Sequence, residues 1–269
     1  MDLGLKEKVV GITGGSTGIG EAVALAFAAE GAKVAVCGRS QKKLDALQEK
    51  FQEKGYSLYT ESVDVGELSQ VEQFVRNVAK EYGRIDIWLN NAGTNNRKCF
   101  EEYTVEEFDK LIDVNLKAIF FGTHYVAEEM RKTGGGAIIN TSSFTALIPT
   151  ADIALYSATK AAVSNMTQTF AVSLAPDHIR VNSVIPGMTV TPLTEKNIEK
   201  NKDLMISNIG MRRLATPDDM IGAYLFLASD KVAGYIDGIS LPVAGAKFCS
   251  QDPLWGWKYR EGTLPSNRN

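Results

Sequence analysis

Histidine and cysteine are almost missing from this chain. Two histidines (His124, His178) and three cysteines (Cys37, Cys99, Cys249) occur in 269 residues. Three scattered thiols make neither a disulfide framework nor a metal framework, so stapled and zinc-ribbon folds are excluded and no metal is expected. Buried or half-buried thiols in a reducing cytoplasm are the expectation. His124 falls in an expected helix and His178 just before an expected strand, places that suit structural or solvated roles. No apolar run reaches the roughly 20 residues of a membrane helix, and Met1 to Lys8 show no signal-peptide pattern. A cytoplasmic protein with no membrane partner is expected. An excess of one charge is lacking too: 29 Lys and Arg against 32 Asp and Glu leave a net charge of −3. No basic patch or tail points to nucleic acid. What remains is 44% hydrophobic and 23% charged, enough apolar residues for a sizeable core.

Those residues alternate between two periods. Short apolar runs at 9–12, 33–37, 57–63, 85–89, 137–141, 179–185 and 239–243 read as strands. Helical patterns fill 18–30, 41–54, 67–82, 105–113 and 116–132, and another helix starts near residue 152. Strands alternating with helices predict an α/β fold, a doubly wound parallel sheet of Rossmann type with helices on both faces. No Pro/Gly/Ser-rich linker divides the chain. A single dinucleotide-binding and catalytic domain over 1–247 is expected, with a long polar substrate loop at about 188–211 and a C-terminal extension at 248–269.

The first strand runs into Thr13-Gly14-Gly15-Ser16-Thr17-Gly18-Ile19-Gly20, which opens the first helix. Glycines there allow a tight turn and close approach of a pyrophosphate, and the helix N-terminus offers free N–H groups. About 20 positions beyond such a loop, NAD-selective sites carry an acid for the ribose 2′-hydroxyl. Here Gly38, Arg39 and Ser40 occupy that place. A guanidinium suits a 2′-phosphate, so NADP(H) is preferred over NAD(H).

Ser143 closes the strand at 137–141, thirteen positions before Tyr156, and Lys160 follows Tyr156 by four. On a helix Tyr156 and Lys160 share one face. A phenol beside an ammonium has its anion favoured, so its pKa is expected to fall and let it trade a proton near neutral pH. The neighbouring hydroxyl of Ser143 would hold a carbonyl or alcohol oxygen.

These motifs, in this order, resemble the short-chain dehydrogenase/reductase family in its common single-domain branch, over nearly the whole chain to about Gly245. Its further marks are Asp64-Val65, Asn90-Asn91-Ala92-Gly93, Asn115, and Pro186-Gly187 with Thr191. The resemblance implies Tyr156 as acid/base, Ser143 as substrate orienter, Lys160 as ribose binder and Asn115 as part of a proton relay. It also implies a cofactor lined by Gly14, Ser16, Thr17, Gly18, Ile19, Gly20, Arg39, Ser40, Asp64 and Val65. Asn91, Ala92, Gly93, Tyr156, Lys160, Pro186, Gly187, Thr189 and Thr191 would complete that site. Ser143, Thr145, Ile153, Met188 and Arg97 are the expected substrate contacts. One departure is Pro242-Val243-Ala244-Gly245-Ala246, where the family often has Asp-Gly-Gly; another is Thr17, where some NADP enzymes carry a second basic residue.

The expected reaction interconverts a secondary alcohol and a ketone. Gly93-Thr94-Asn95-Asn96, Ile148-Pro149 and Val243-Ala244-Gly245 look like bacterial hydroxysteroid dehydrogenases acting on bile acids. Arg97-Lys98 is similar to sugar-acid dehydrogenases, where an arginine meets a carboxylate. A 3-oxoacyl-type ketoreductase and a non-catalytic NADP(H)-binding sensor are the alternatives. The resemblance also implies a homo-oligomer, a tetramer or a dimer. Trp255, Trp257 and Tyr259 in the extension are expected to pack across a neighbouring subunit or over the substrate mouth, the alternative being packing on their own subunit.

Overall fold

Strands rich in Val, Ile and Leu on both faces can only be stable with both faces covered. The computed structural model describes residues 2–261 and 263 and meets that requirement. β1 (Val9–Thr13), β2 (Lys33–Gly38), β3 (Leu58–Ser62), β4 (Ile87–Asn90), β5 (Gly136–Thr141), β6 (Ile179–Pro186) and β7 (Ser240–Val243) form one sheet. Every pairing is parallel, in the order β3-β2-β1-β4-β5-β6-β7. β1, β4 and β6 are buried along their whole length.

Side chains of β1 alternate between two cores. Val10 and Ile12 join Val23 and Phe27 of α1 (Gly18–Ala29), Leu44 and Phe51 of α2 (Gln41–Glu53), and Tyr224 of the helix Asp218–Ala228. Val9 joins Phe74 of α3 (Leu68–Tyr82) together with Trp88, Val126 and Met130 on the other face. The chain leaves the β3 edge and returns past β1 to form β4. That reversal opens a crevice at the C-terminal ends of β1 and β4, where open α/β sheets bind ligands. Across the sheet a buried polar chain is fully paired: Trp88 donates to Asn90, Asn90 to Asn140 and Thr123, and Asn140 to Thr167, at 2.9–3.1 Å.

The observed elements depart from the sequence reading in three places. The helices expected at 105–113 and 116–132 are continuous. α4 (Val105–Ile112) passes into α5 (Ala118–Arg131) through one widened π-type turn at Asp113–Lys117 that carries Asn115. The helix with Tyr156, α6 (Ala154–Leu174), starts two residues later than expected, after a short 3-10 turn at Ala151–Ile153. The polar stretch after Met188 is not all loop: it holds α7 (Glu195–Ile206), followed by α8 (Asp218–Ala228) and the short α9 (Asp230–Ala233).

Of the thiols only Cys37 is buried; Cys99 and Cys249 are exposed, against expectation, because both sit in surface turns rather than strands. The extension forms α10 (Trp255–Arg260), which packs on its own chain; residues 262 and 264–269 of the extension lie outside the described residues. No helix of the described residues is long and apolar enough to cross a membrane.

Candidate active site

A cleft of about 410 Å3 runs along the crevice. Its first half is backbone. Gly14 adopts φ +64°, and a Cβ on it would lie 2.7 Å from Ala92 Cα. A Cβ on Gly20 would stand 2.5 Å from Gly14 O and 2.6 Å from Asn91 Nδ2. Only glycine permits this close approach of the β1 and β4 loops. No side chain caps α1, so the N–H groups of its first turn are left to face the cleft, where they suit a phosphate. Ser16, Thr17, Gly18 and Ile19 line the same wall. Asn91 clamps it from behind: its amide donates to Thr13 O at 3.1 Å and Gly14 O at 3.0 Å.

The far end of this half carries Arg39, Ser40, Val63, Asp64 and Val65. The Asp64 carboxylate accepts from Gly66 N at 3.0 Å, which fixes the turn after β3. Lys43, one helical turn beyond Arg39, also lines the cleft and was missed in the sequence. Its signal was the i, i+4 spacing across the start of α2, whose Ser40 cap makes no side-chain hydrogen bond either. Two cations and an uncapped helix start form a second anion cradle. The residues present therefore fit a dinucleotide.

The second half holds the hydroxyls. Ser142 Oγ donates to Lys160 O at 2.9 Å and pairs with Ser164 at 2.8 Å, so it is spent inside the fold. Ser143 Oγ accepts from Thr145 N at 3.2 Å and from Thr145 Oγ1 at 3.1 Å. Its own proton is thereby freed for donation into the cleft, beside Tyr156. Lys160 lies one turn below Tyr156, 3% exposed, with Nζ donating to Thr141 O at 2.8 Å.

Burial sets the titration of this pair. It pulls the Lys160 ammonium down to about 8. It pushes the Tyr156 phenol up, and the hydroxyl of Ser143 pulls the other way. The expected fall of the phenol by the ammonium is therefore corrected: enclosure outweighs it. Lys160 Nζ is turned to the Thr141 carbonyl and lies 5.7 Å from the tyrosine ring centre, while desolvation favours the neutral phenol.

Asn115 does not line the cleft. It is fully buried behind Gly93, where its amide brackets Thr94, accepting from Thr94 N and donating to Thr94 O, both at 2.8 Å. A Cβ on Gly93 would lie 3.5 Å from Asn115 Oδ1 and 3.6 Å from Lys160 Nζ, so glycine leaves these two groups a common space.

Thr145, Ile153, Met188 and Arg97 line the substrate end, with Pro186, Gly187, Thr189 and Thr191 closing the adjacent wall. Arg97, expected to meet a carboxylate on a substrate, lines this end and also pairs with Asp152 in a half-exposed ion pair. Phe144, Leu193, Asn95 and Asn197 also line it and were missed as individual contacts; Oδ1 of Asn95 is buried among the described residues with no partner.

A match to the short chain dehydrogenase family spans residues 8–202. A 3alpha-hydroxysteroid dehydrogenase of Mediterraneibacter gnavus is 38% identical over 248 residues, 90% of this chain and 97% of that protein. A 3-oxoacyl-(acyl-carrier-protein) reductase of Thermotoga maritima is 37% identical over 241 residues, 90% of this chain and 98% of that one. A solved short-chain type dehydrogenase/reductase from Mycobacterium marinum superposes with a TM-score of 0.87 at 35% identity, covering 91% of this chain and 97% of the other. The chain belongs to the short chain dehydrogenase family, a family of NAD(P)(H)-using oxidoreductases.

Proposed function

We propose that this protein is an NADP(H)-preferring oxidoreductase that interconverts a secondary alcohol and a ketone on a bulky apolar frame of hydroxysteroid type. The observation that carries the reaction is the convergence of Ser143, Tyr156 and Lys160 at one end of a glycine-walled cleft. A bound NADPH supplies the hydride. Gly14 to Gly20 and Asn91 to Gly93 hold its pyrophosphate and ribose, Asp64 and Val65 its adenine, and Pro186, Gly187, Thr189 and Thr191 its other end. Arg39 and Lys43 clamp the 2′-phosphate.

Ser143 donates a hydrogen bond to the ketone oxygen and Tyr156 gives it a proton. Burial keeps that proton on the phenol until it is needed. Orientation of the oxygen and stabilisation of its developing charge supply most of the acceleration. Lys160 carries the next proton to Tyr156, and Asn115 holds the Thr94 turn through its amide oxygen and nitrogen. Oxidation is the reverse sequence.

The substrate class follows from the walls. Phe144, Ile153, Met188 and Leu193 line the cleft, and Leu147, Ile148 and Val190 stand partly exposed in the same two segments. A bulky apolar frame would cover them. Asp152 competes with any substrate carboxylate for Arg97, which weighs against a sugar acid. The 3-oxoacyl reductase reading keeps the same chemistry and is supported by the 37% identity to such an enzyme.

The catalytic domain spans 1–247, and the chain self-associates through α5 and α6, where Phe120, Phe121 and Val172 are left outside. Initial rates of NADP+ and NAD+ reduction with hydroxylated bile acids, sugar acids and 3-hydroxyacyl thioesters test this. Turnover of the bile acids with NADP+ is expected; selective turnover of another class would replace the substrate reading.

A further inference from the structure

We infer that the C-terminal extension is a latch on the substrate loop of its own subunit, with Trp257 as the positioning residue that sets where that loop rests. The loop begins at Met188, beside the hydroxyls, and Met188, Thr191, Leu193 and Asn197 face the cleft. Its middle has little to hold it in place. α7, twelve residues long, buries only Ile198 and is broken by a non-helical residue at Asn201. Segments with so few buried apolar contacts open locally at low cost.

The far end of the loop is fastened by the extension. Trp257 Nε1 donates to Gly210 O at 2.8 Å. The Arg212 guanidinium lies 5.0 Å from the Trp257 ring centre and pairs with Glu261. Met211 N donates to Gly245 O at 3.1 Å. Two residues farther along, where the domain passes into the extension, Lys247 Nζ lies 5.2 Å from the ring centre of Phe144, the neighbour of Ser143 and part of the cleft wall. One continuous stretch of chain thus touches both walls of the substrate mouth. Backbone strain gathers at the same junction. Arg212 (φ +53°) and Ala246 (φ +65°) are two of four non-glycine residues with positive φ among the described residues. Such conformations persist only where surrounding contacts over-determine them. Packing of α10 here follows from the alternation of Trp255, Trp257 and Tyr259: Trp255 stacks on Tyr259 at 5.4 Å, which leaves Trp257 to face Gly210.

Limited trypsin digestion of the full chain tests the latch without any substrate, because α7 exposes Lys196, Lys200 and Lys202. When opening is fast, cleavage tracks the open population. Trp257→Ala should speed cleavage at these lysines about tenfold, the scale set by one lost hydrogen bond and one lost cation–π contact. Trp257→Phe keeps a ring under Arg212 and should fall between. Arg212→Gln leaves the Gly210 bond in place and serves as the second variant should Trp257→Ala fold poorly. The KM for a ketone should rise about tenfold in Trp257→Ala, with kcat and the Kd for NADPH within about twofold; a purely structural role would lower the melting temperature and kcat instead. Unchanged cleavage and unchanged KM in both alanine and glutamine variants would overturn the latch. The KM arm rests on the proposed reaction and the digestion arm does not, so latch-dependent cleavage without ketone turnover would count against the reaction alone.

Discussion

Lys160→Met is the sharpest test of the electrostatics at the site, because it removes one buried charge and little volume. The wild-type ammonium is 3% exposed, with the Thr141 carbonyl as its hydrogen-bond acceptor at 2.8 Å, and its pKa is depressed to about 8 from 10.5. A lysine depressed on folding binds more protons unfolded than folded between those two values. Stability therefore rises with pH across the window from about 8 to 10.5, and below 8 the full penalty of the buried charge is present. At pH 7 that penalty is about 3 kcal/mol, and by pH 10 most of it is recovered. The methionine variant lacks the titration. Urea unfolding of both proteins at pH 7, 8, 9 and 10 should give a stability difference that shifts by about 2–3 kcal/mol in favour of wild type as pH rises. The constant loss of the bond to Thr141 O cancels in that shift. A difference flat within about 0.5 kcal/mol would refute a buried, depressed ammonium.

Three further outcomes follow from the geometry. Gly20→Ala forces a methyl to within 2.5 Å of Gly14 O, so NADPH affinity by calorimetry should fall at least about tenfold and stability by about 1–3 kcal/mol. Arg39→Ser and Lys43→Ser should each raise the KM for NADPH about tenfold while that for NADH stays within about twofold, as expected from losing one charge-assisted contact. Since burial holds the Tyr156 phenol above its ordinary value, ketone reduction should persist through neutral pH and decline only in alkaline buffer, with alcohol oxidation rising over the same range; a reduction rate already lost by pH 8 would contradict it.

The sheet was readable in the sequence because its strands are continuous apolar runs between clear turn residues, and every one appears within about two residues of its expected bounds. The lining of the cleft was readable for a related reason: a parallel sheet delivers strand ends to one crevice, so residues just after 9–12, 33–37, 57–63 and 85–89 must meet there. What was hidden depends on three-dimensional neighbours. Lys43 came into view only when α2 placed it on the same cleft as Arg39. The partner of Arg97 is Asp152, 55 positions away, which no local pattern links to it. The phenol's upward shift comes from enclosure that no spacing reveals. α7 buries a single residue, so it lacked the apolar stripe by which a helix is recognised. Which surface the aromatics of the extension pack on was hidden too, because the acceptor of Trp257 is Gly210, 47 positions away.

The central claim is that Tyr156 delivers the proton while the rest of the cleft binds the dinucleotide, and Tyr156→Phe separates the two. Single-turnover ketone reduction should fall by about three orders of magnitude, the scale of a lost general acid in a preorganised site, while the Kd for NADPH by calorimetry stays within about twofold. Undiminished reduction in the variant would contradict the account.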